Sequence, residues 1–285
     1  MNNPMFLFLV VLALYFAYQN YKLIKFNKHY KGFADCAHAV FDHDENADKM
    51  IIDYLEKEKE PSFVNKAMIY KLYRDLEAGR LYEDDLATFD PKTLYLDNKG
   101  NYAPKKASLN ADGFVWAAVL LNKAYALKED EFIKAFLAKF EPKEMLRTQM
   151  EYLLLEAMAD FELSINECGV PFFKMLVDGA YEGYNYDKRL IGIYKRIAAF
   201  YLSLKGEEIG EFEKEDLTMF AESSVGKIMM EDLGVYDNYH LEESETDETT
   251  EDNEVVEETT KEETVKEETA TEETNTNEDK EESAE

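Results

Sequence analysis

The sequence is poor in the residues that form reactive or oxidised sites. Its 285 residues include two cysteines, four histidines, one tryptophan and six prolines. Cys36 and Cys168 lie far apart and form no C-x-x-C motif, so there is no disulfide framework, and two free thiols fit a reducing compartment. Basic residues are also scarce, 32 against 61 acidic ones. The resulting net charge of −29 argues against nucleic acid as a partner.

Motifs for metal binding and catalysis are incomplete. The run 42–53 begins like a calcium loop, but Ala47 stands where the loop needs glycine. Cys36, His38 and His43 are close in sequence but do not share one helix face, as a zinc site on a helix would require. We therefore expect a non-catalytic protein with no cofactor and no metal. An enzyme, such as a hydrolase on a helical scaffold, is the alternative.

The longest apolar stretch is Met5–Tyr21, which carries no charge and is followed by Lys22, Lys25, Lys28 and Lys31. No basic residue precedes it and no small-residue cleavage site ends it, in contrast to a signal peptide. As a helix it would span about 26 Å, near the lower limit for crossing a bilayer. The positive-inside rule then predicts a single-pass anchor, residues 1–31, with the N-terminus outside and the body in the cytoplasm. The alternative places the body outside the cytoplasm.

The C-terminal segment, residues 239–285, has a different composition. Its last 44 residues, Glu242–Glu285, contain 21 acidic residues, three lysines and no aromatic residue. The triplet Glu-Glu-Thr recurs there at 257, 262, 267 and 272, a period that matches neither a helical stripe nor a strand. Because the tail has too little apolar surface to offset chain entropy, we predict that it is disordered.

Residues 32–238 show an internal repeat. Three phenylalanines are each followed four residues later by alanine and 28 residues later by proline, in the sets Phe33–Ala37–Pro61, Phe63–Ala67–Pro91 and Phe114–Ala118–Pro142. Apolar residues at helical spacing predict two helices in each unit, ended by the proline. Gly79 stands where a helix end needs a positive φ. The segment 90–109 interrupts the array as a small β-hairpin or an exposed loop, and long insertions of this kind are places for binding.

The aromatic residue opening each first helix, the alanine four residues later, Tyr70 or Leu121 three residues beyond, and the final proline resemble the tetratricopeptide repeat family. The resemblance covers about residues 33–142. It implies an all-α fold of antiparallel helical hairpins stacked as an array, with an irregular helical bundle as the alternative.

The resemblance also implies a partner-binding surface. Lys71 and Asn122 occupy equivalent positions and would hold a peptide carboxylate or backbone on the inner face of the array. Trp116, the single tryptophan, is a binding anchor if it lies on that face and a core residue otherwise. We therefore expect a membrane-anchored cytoplasmic scaffold or adaptor for an unknown protein or peptide. The competing hypotheses are the enzyme and an extracytoplasmic binding or assembly factor.

Overall fold

The computed structural model describes residues 4–97, 99–103, 111–141, 143–164, 169–210, 212 and 214–239. The regular secondary structure of these residues consists of helices joined by turns and loops. All of these residues belong to one compact unit, Met1–Glu243. The prediction of an all-α fold is confirmed for these residues. Some predictions concern residues outside the described ranges and stay predictions. These residues are the tail Glu242–Glu285, Pro142, Cys168 and the end of the insertion.

The helices, in chain order, are α1 (Pro4–Phe41), α2 (Ala47–Lys57), α3 (Pro61–Glu77), α4 (Glu83–Thr88), α5 (Lys92–Tyr95), α6 (Ala111–Leu127), α7 (Asp130–Ala138), α8 (Lys143–Leu146), α9 (Met150–Glu162), α10 (Gly169–Val177), α11 (Ile191–Leu204), α12 (Lys214–Ala221), α13 (Ser224–Asp232) and a 3-10 turn (Tyr236–Asn238).

Pro61 and Pro91 each lie three or four residues after the end of a helix, α2 at Lys57 and α4 at Thr88, and each also stands at the start of the next helix. Pro61 is the first residue of α3, and Pro91 immediately precedes α5. Proline fits these positions because the first backbone N–H groups of a helix have no partner within the helix and φ is already set near the helical value. The preceding residue, Glu60, is extended, with φ −78° and ψ 113°.

Most helices pack on their neighbours in the chain, and α6 lies at the centre. The first three helices contact one another, and α3 contacts α6, which contacts α7 and α9. The chain then continues through contacts of α9 with α10, α10 with α11, α11 with α12, and α12 with α13. The last helix, α13, returns to pack on α6. The described helices therefore enclose α6 from both halves of the chain.

The aromatic residues of the repeat lie in this core. Phe33, Phe63 and Phe114 are all buried, as are the alanines four residues after each of them. The ring of Phe33 stacks on Tyr70 with 5.2 Å between centroids, and Tyr70 contacts Trp116 edge to face at 4.8 Å. These contacts join α1, α3 and α6, so the repeated aromatic positions pack the core.

The predicted membrane anchor is wrong. Within the described part of the chain, the structure contains no helix of sufficient length and apolar character to cross a membrane. The uncharged run Met5–Tyr21 within α1 contains Gln19 and Asn20 near its end and is followed by Lys22. That run is shorter than the about 20 apolar residues that a spanning helix needs. The single-pass topology and the location of the body in the cytoplasm, which depended on the anchor, are no longer supported.

The described part of the insertion contains a tight turn instead of extended strands. Leu96 and Tyr102 form one isolated antiparallel bridge, and the backbone N–H of Asp97 donates to the carbonyl of Asn101 at 2.8 Å. The Asp97 carboxylate accepts the N–H groups of Lys99 and Asn101. The pairing is therefore that of a hairpin reduced to its turn.

Candidate functional site

A cleft of about 360 Å³ opens between α2, α3 and the loop that follows α3. Three kinds of side chain line it: carboxylates, cations and aliphatic groups. They are Asp48, Ile51, Ile52, Lys71, Arg74, Asp75, Arg80 and Leu81. Lys71 is thus the one residue of the predicted binding set that lies in a described cleft.

The end of α3 forms one wall of the cleft. Gly79 has φ +61°, as its sequence position predicted, and this left-handed conformation turns the chain back. Its N–H donates to the carbonyl of Leu76 at 3.1 Å, and the N–H of Arg80 donates to the carbonyl of Asp75 at 2.8 Å. This pair of bonds is the Schellman arrangement, which satisfies carbonyls at the helix end. It brings Arg80 back over the last turn of α3 and leaves Leu81 beyond it.

Two aspartates link the cations of the cleft in a ladder. Asp48 of α2 accepts Nε of Arg74 through Oδ1 and Nη1 of Arg80 through Oδ2, both at 2.8 Å. Asp75 accepts Nε of Arg80 at 2.7 Å and Nζ of Lys71 at 2.9 Å. Each aspartate therefore holds two cations, and Arg80 is bound by both aspartates.

The two outer cations have a further carboxylate each. Lys71 also donates to Asp85 of α4, and Arg74 also donates to Glu77 of its own helix. Arg80 has no third carboxylate among the described residues. Arg80 therefore shares Asp75 with Lys71 and Asp48 with Arg74. Its side chain is 42% exposed.

The charges of the ladder are stabilised by their contacts. Burial pushes the pKa of Asp48 upward, but the hydrogen bonds and charges of Arg74 and Arg80 outweigh burial and hold the pKa below its usual value. Burial would lower the pKa of Lys71, but its bonds to Asp85 and Asp75 raise it. These groups stay charged near neutral pH, so they can orient a ligand and are poorly suited to proton transfer.

Two aliphatic side chains stand beside the ladder in contact with solvent. Leu81 is 87% exposed and Ile52 is 47% exposed, whereas Ile51 next to them is buried. The cleft thus places exposed aliphatic groups beside oriented guanidinium groups. Of these groups, arginine is the one that is enriched at protein interfaces.

Asn122 does not lie on a surface, which corrects its predicted place on the inner face. Its side chain is buried between α11 and α13, where Nδ2 donates to the carbonyl of Met229 at 3.0 Å and Oδ1 accepts the hydroxyl of Tyr201 at 3.1 Å. Helix α13 packs on α6 and covers the position that the repeat register equates with Lys71. Asn122 therefore fixes the contact between helices.

Trp116 is partly buried and packs as a core residue. Its ring lies 4.3 Å from that of Phe41 and 4.8 Å from that of Tyr70, measured between centroids. It does not line the cleft that contains Lys71. Of the three residues predicted to bind a partner together, only Lys71 lines this cleft, and a binding role for Trp116 stays a prediction.

Sequence reasoning missed Asp48, Arg74, Arg80 and Leu81. One signal was present, because Arg74 and Arg80 are two of only five arginines in the chain and flank the Gly79 helix end. Their partner Asp48 is 26 residues before Arg74 and belongs to another helix. No local pattern connects these positions.

A second cluster of ionisable groups surrounds Glu151, which is fully buried at the start of α9. Burial raises the pKa of Glu151 to about 7, opposed by its hydrogen bonds. Its Oε1 accepts the N–H of Asp187 at 2.8 Å and the hydroxyl of Tyr194 at 3.4 Å, and its Oε2 accepts the amide of Gln149. Gln149 in turn accepts the hydroxyl of Tyr102 from the insertion. Since protein groups occupy both oxygens, the cluster joins segments of the chain.

The cleft between α2 and α3 is therefore the better candidate for contact with another molecule. Its lining offers permanently charged hydrogen-bond donors and exposed aliphatic side chains, a combination suited to recognition. Comparisons of the chain with protein-family models, curated proteins and solved structures find no significant match.

Proposed function

We propose that the protein is a non-catalytic scaffold or adaptor that binds a partner protein or peptide through its helical array, with the cleft between α2 and α3 as the docking point. The observation that carries the proposal is the position of Leu81. This leucine is 87% exposed directly beside Arg80, whose guanidinium is held by two aspartates. Arginine is enriched at protein interfaces, and the buried centre of an interface is more apolar than the rest of a protein surface.

The proposal includes a stacking of hairpins similar to that of tetratricopeptide repeats. Three features support it: α1 packs on α3, α3 packs on α6, and α2 and α7 pack beside these helices. Buried phenylalanines at equivalent positions, Phe63 in α3 and Phe114 in α6, belong to the same arrangement. The return of α13 onto α6 would then close the array and leave the α2–α3 end free for a partner.

Site-specific photocrosslinking tests the docking point. A photoreactive amino acid at position 81 of the full chain, expressed in the cells that make it, should give a discrete adduct. The same amino acid at Met219, which is 57% exposed on α12 outside the cleft, is the matched control. The captured protein, once identified and purified, should bind the full chain directly, and Leu81→Ser should weaken that binding at least tenfold. Equal adducts at both positions, or unchanged binding by Leu81→Ser, would exclude the cleft as the docking point.

A further inference from the structure

The N-terminal half of α1 is apolar and exposed on every side. All residues from 8 to 28 are exposed, which is about six turns of helix. Most of the large hydrophobic side chains that the described chain exposes lie on this helix. An apolar surface of this extent marks a place of contact with another molecule.

One line of residues along α1 has the spacing of a coiled coil. Its members lie alternately three and four residues apart: Leu9, Leu12, Phe16, Gln19, Leu23, Phe26, Tyr30 and Phe33. Gln19 is the one strongly polar member, and the lysines of α1, at positions 22, 25, 28 and 31, all lie off the line. Apolar residues in this repeat, with charges outside it, form the seam along which helices pair.

The rest of the chain covers only the C-terminal end of this seam. Phe33 is 3% exposed and stacks on Tyr70. The ring of Phe26 lies 5.6 Å from that of Phe63 in α3, yet Phe26 is still 44% exposed. The exposed seam therefore comprises residues 9–26, about 26 Å of helix.

The exposed seam is complementary to itself when it is reversed. Two antiparallel copies pair its members in layers that a two-fold axis repeats: Leu9 with Phe26, Leu12 with Leu23, and Phe16 with Gln19. In this register the Gln19 side chains of both copies lie near the centre. Each amide is a donor and an acceptor, so the two can bond to each other. A register shifted one heptad toward the body would need Phe33, which is buried.

Charge favours the antiparallel orientation over the parallel one. All 61 acidic residues follow Lys31, and the charged residues up to Lys31 are all lysines. Parallel copies would place two acidic bodies at one end and two lysine clusters side by side. Antiparallel copies keep the bodies apart by about 26 Å, against a Debye length of about 8 Å. They also place each lysine cluster beside the uncharged run of the other copy.

The apolar area is that of a stable dimer. Seven half-exposed side chains lie on or beside the exposed seam: Leu9, Leu12, Tyr15, Phe16, Leu23, Phe26 and Tyr30. If each leaves on the order of 100 Å² open, a copy offers about 700 Å², close to the roughly 800 Å² per partner of stable interfaces.

We infer that residues 9–26 of α1 join two copies of the protein as an antiparallel coiled coil, in which Leu12 of each copy packs against Leu23 of the other. The inference goes beyond the proposed docking function, because it uses no residue of the cleft between α2 and α3. A partner crosslinked at position 81 would therefore be judged separately.

The mass of the full chain in detergent-free buffer tests the pairing. Size-exclusion chromatography with light scattering should give twice the chain mass. Leu23→Asp places a charge in the seam and should weaken the dimer at least tenfold. Ile24→Asp is the matched control, because Ile24 is the next residue, is 69% exposed and lies off the seam. This control should keep the dimer, and melting curves of both variants establish that they are folded.

Introduced cysteines report the orientation. Leu12→Cys combined with Leu23→Cys should give a disulfide between chains after oxidation with copper phenanthroline, seen on a non-reducing gel. Within one chain these positions are about 16 Å apart along the helix, too far for a disulfide. Each single variant should give no more crosslink than the unmodified protein, in which Cys36 and Cys168 set the background.

The inference is overturned if the unmodified protein is a monomer or an assembly of more than two chains. Equal loss of the dimer in Leu23→Asp and Ile24→Asp would also overturn it, since the seam would then not be the contact. Crosslinks in the single variants as strong as in the double variant would show parallel helices and refute the register. A monomer that sediments with phosphatidylcholine vesicles would show that lipid, and not a second copy, covers α1.

Discussion

Two hydrogen bonds join Arg80 to Asp75, one through the backbone and one through the side chains. The N–H of Arg80 donates to the carbonyl of Asp75 at 2.8 Å, and Nε of Arg80 donates to Oδ1 of Asp75 at 2.7 Å. The Asp75 side chain is only 4% exposed and also accepts Lys71. One buried carboxylate thus couples the end of α3 to the cations of the cleft.

Replacement of Asp75 by asparagine should therefore lower the free energy of unfolding by about 2 kcal/mol. The change weakens two hydrogen bonds to charged groups, and such bonds contribute about 1.5–3 kcal/mol each. Urea unfolding followed by circular dichroism measures the loss. The control is Asp53→Asn on α2, where an exposed carboxylate lies 3.9 Å from Lys57. That change should cost less than about 0.5 kcal/mol, and equal losses would contradict a special role of Asp75.

Gly79→Ala tests the turn that carries Arg80. Alanine at φ +61° is strained, so the free energy of unfolding should fall by about 1 kcal/mol. Gly192→Ala on α11 is the matched control, because no heavy atom lies within 4 Å of the added methyl group and φ is not positive there. The control should be neutral or stabilising by up to about 1 kcal/mol. The same sign and size of effect at both positions would refute the conformational explanation.

The all-α class and the Gly79 helix end were predictable because both depend on local signals. Apolar residues at helical spacing define helices, and glycine takes a left-handed conformation at low cost. The ion-pair ladder was not predictable, because Asp48 and Arg80 are 32 residues apart and meet only when α2 packs on α3. Contacts between distant charges leave no periodic pattern in one sequence.

The predicted surface position of Asn122 was wrong because a repeat register does not determine which positions are exposed. Register equates Lys71 with Asn122, and both lie on helices that pack against each other. The C-terminal helices of the fold nevertheless cover Asn122, whose amide bonds to Met229 and Tyr201. Equivalent positions in two repeats lie at the same place on their helices. Whether a side chain at such a position is exposed depends on which other helices of the chain pack over it.

A buried ion pair between α3 and α6 supports another prediction. Nζ of Lys66 lies 2.8 and 2.9 Å from the carboxylate oxygens of Asp112, and the rings of Phe33 and Phe63 lie near it at 5.4 and 5.0 Å. Asp112→Asn should lower the free energy of unfolding by about 3 kcal/mol, because it leaves a buried ammonium without its charge partner. Lys66→Met should cost less, since Asp112 is partly exposed and can be hydrated.

A double-mutant cycle on these two positions measures the coupling. The double variant Lys66→Met with Asp112→Asn should be more stable than Asp112→Asn alone, because no buried charge is left unpaired. The exposed pair Lys134–Glu131, at 2.8 Å on α7, is the control and should give less than about 1 kcal/mol of coupling. A coupling as small at Lys66–Asp112 would show that this pair does not hold α3 to α6.

The last prediction concerns pH and Glu151. Burial raises the pKa of this carboxyl from its ordinary 4.5 to about 7, although hydrogen bonds from Asp187 and Tyr194 oppose the rise. Between these two values the unfolded chain has released the proton and the folded chain still holds it. The contribution of Glu151 to stability is therefore full below pH 4.5 and is lost as the pH rises to 7, a loss on the order of 3 kcal/mol.

In Glu151→Gln this loss is absent, so its unfolding free energy should fall less between pH 5 and 7 than that of the unmodified protein. Urea unfolding across this interval, with the exposed Glu144→Gln as control, provides the measurement. Parallel pH profiles for the unmodified protein and Glu151→Gln would show that Glu151 is already ionised in the folded state.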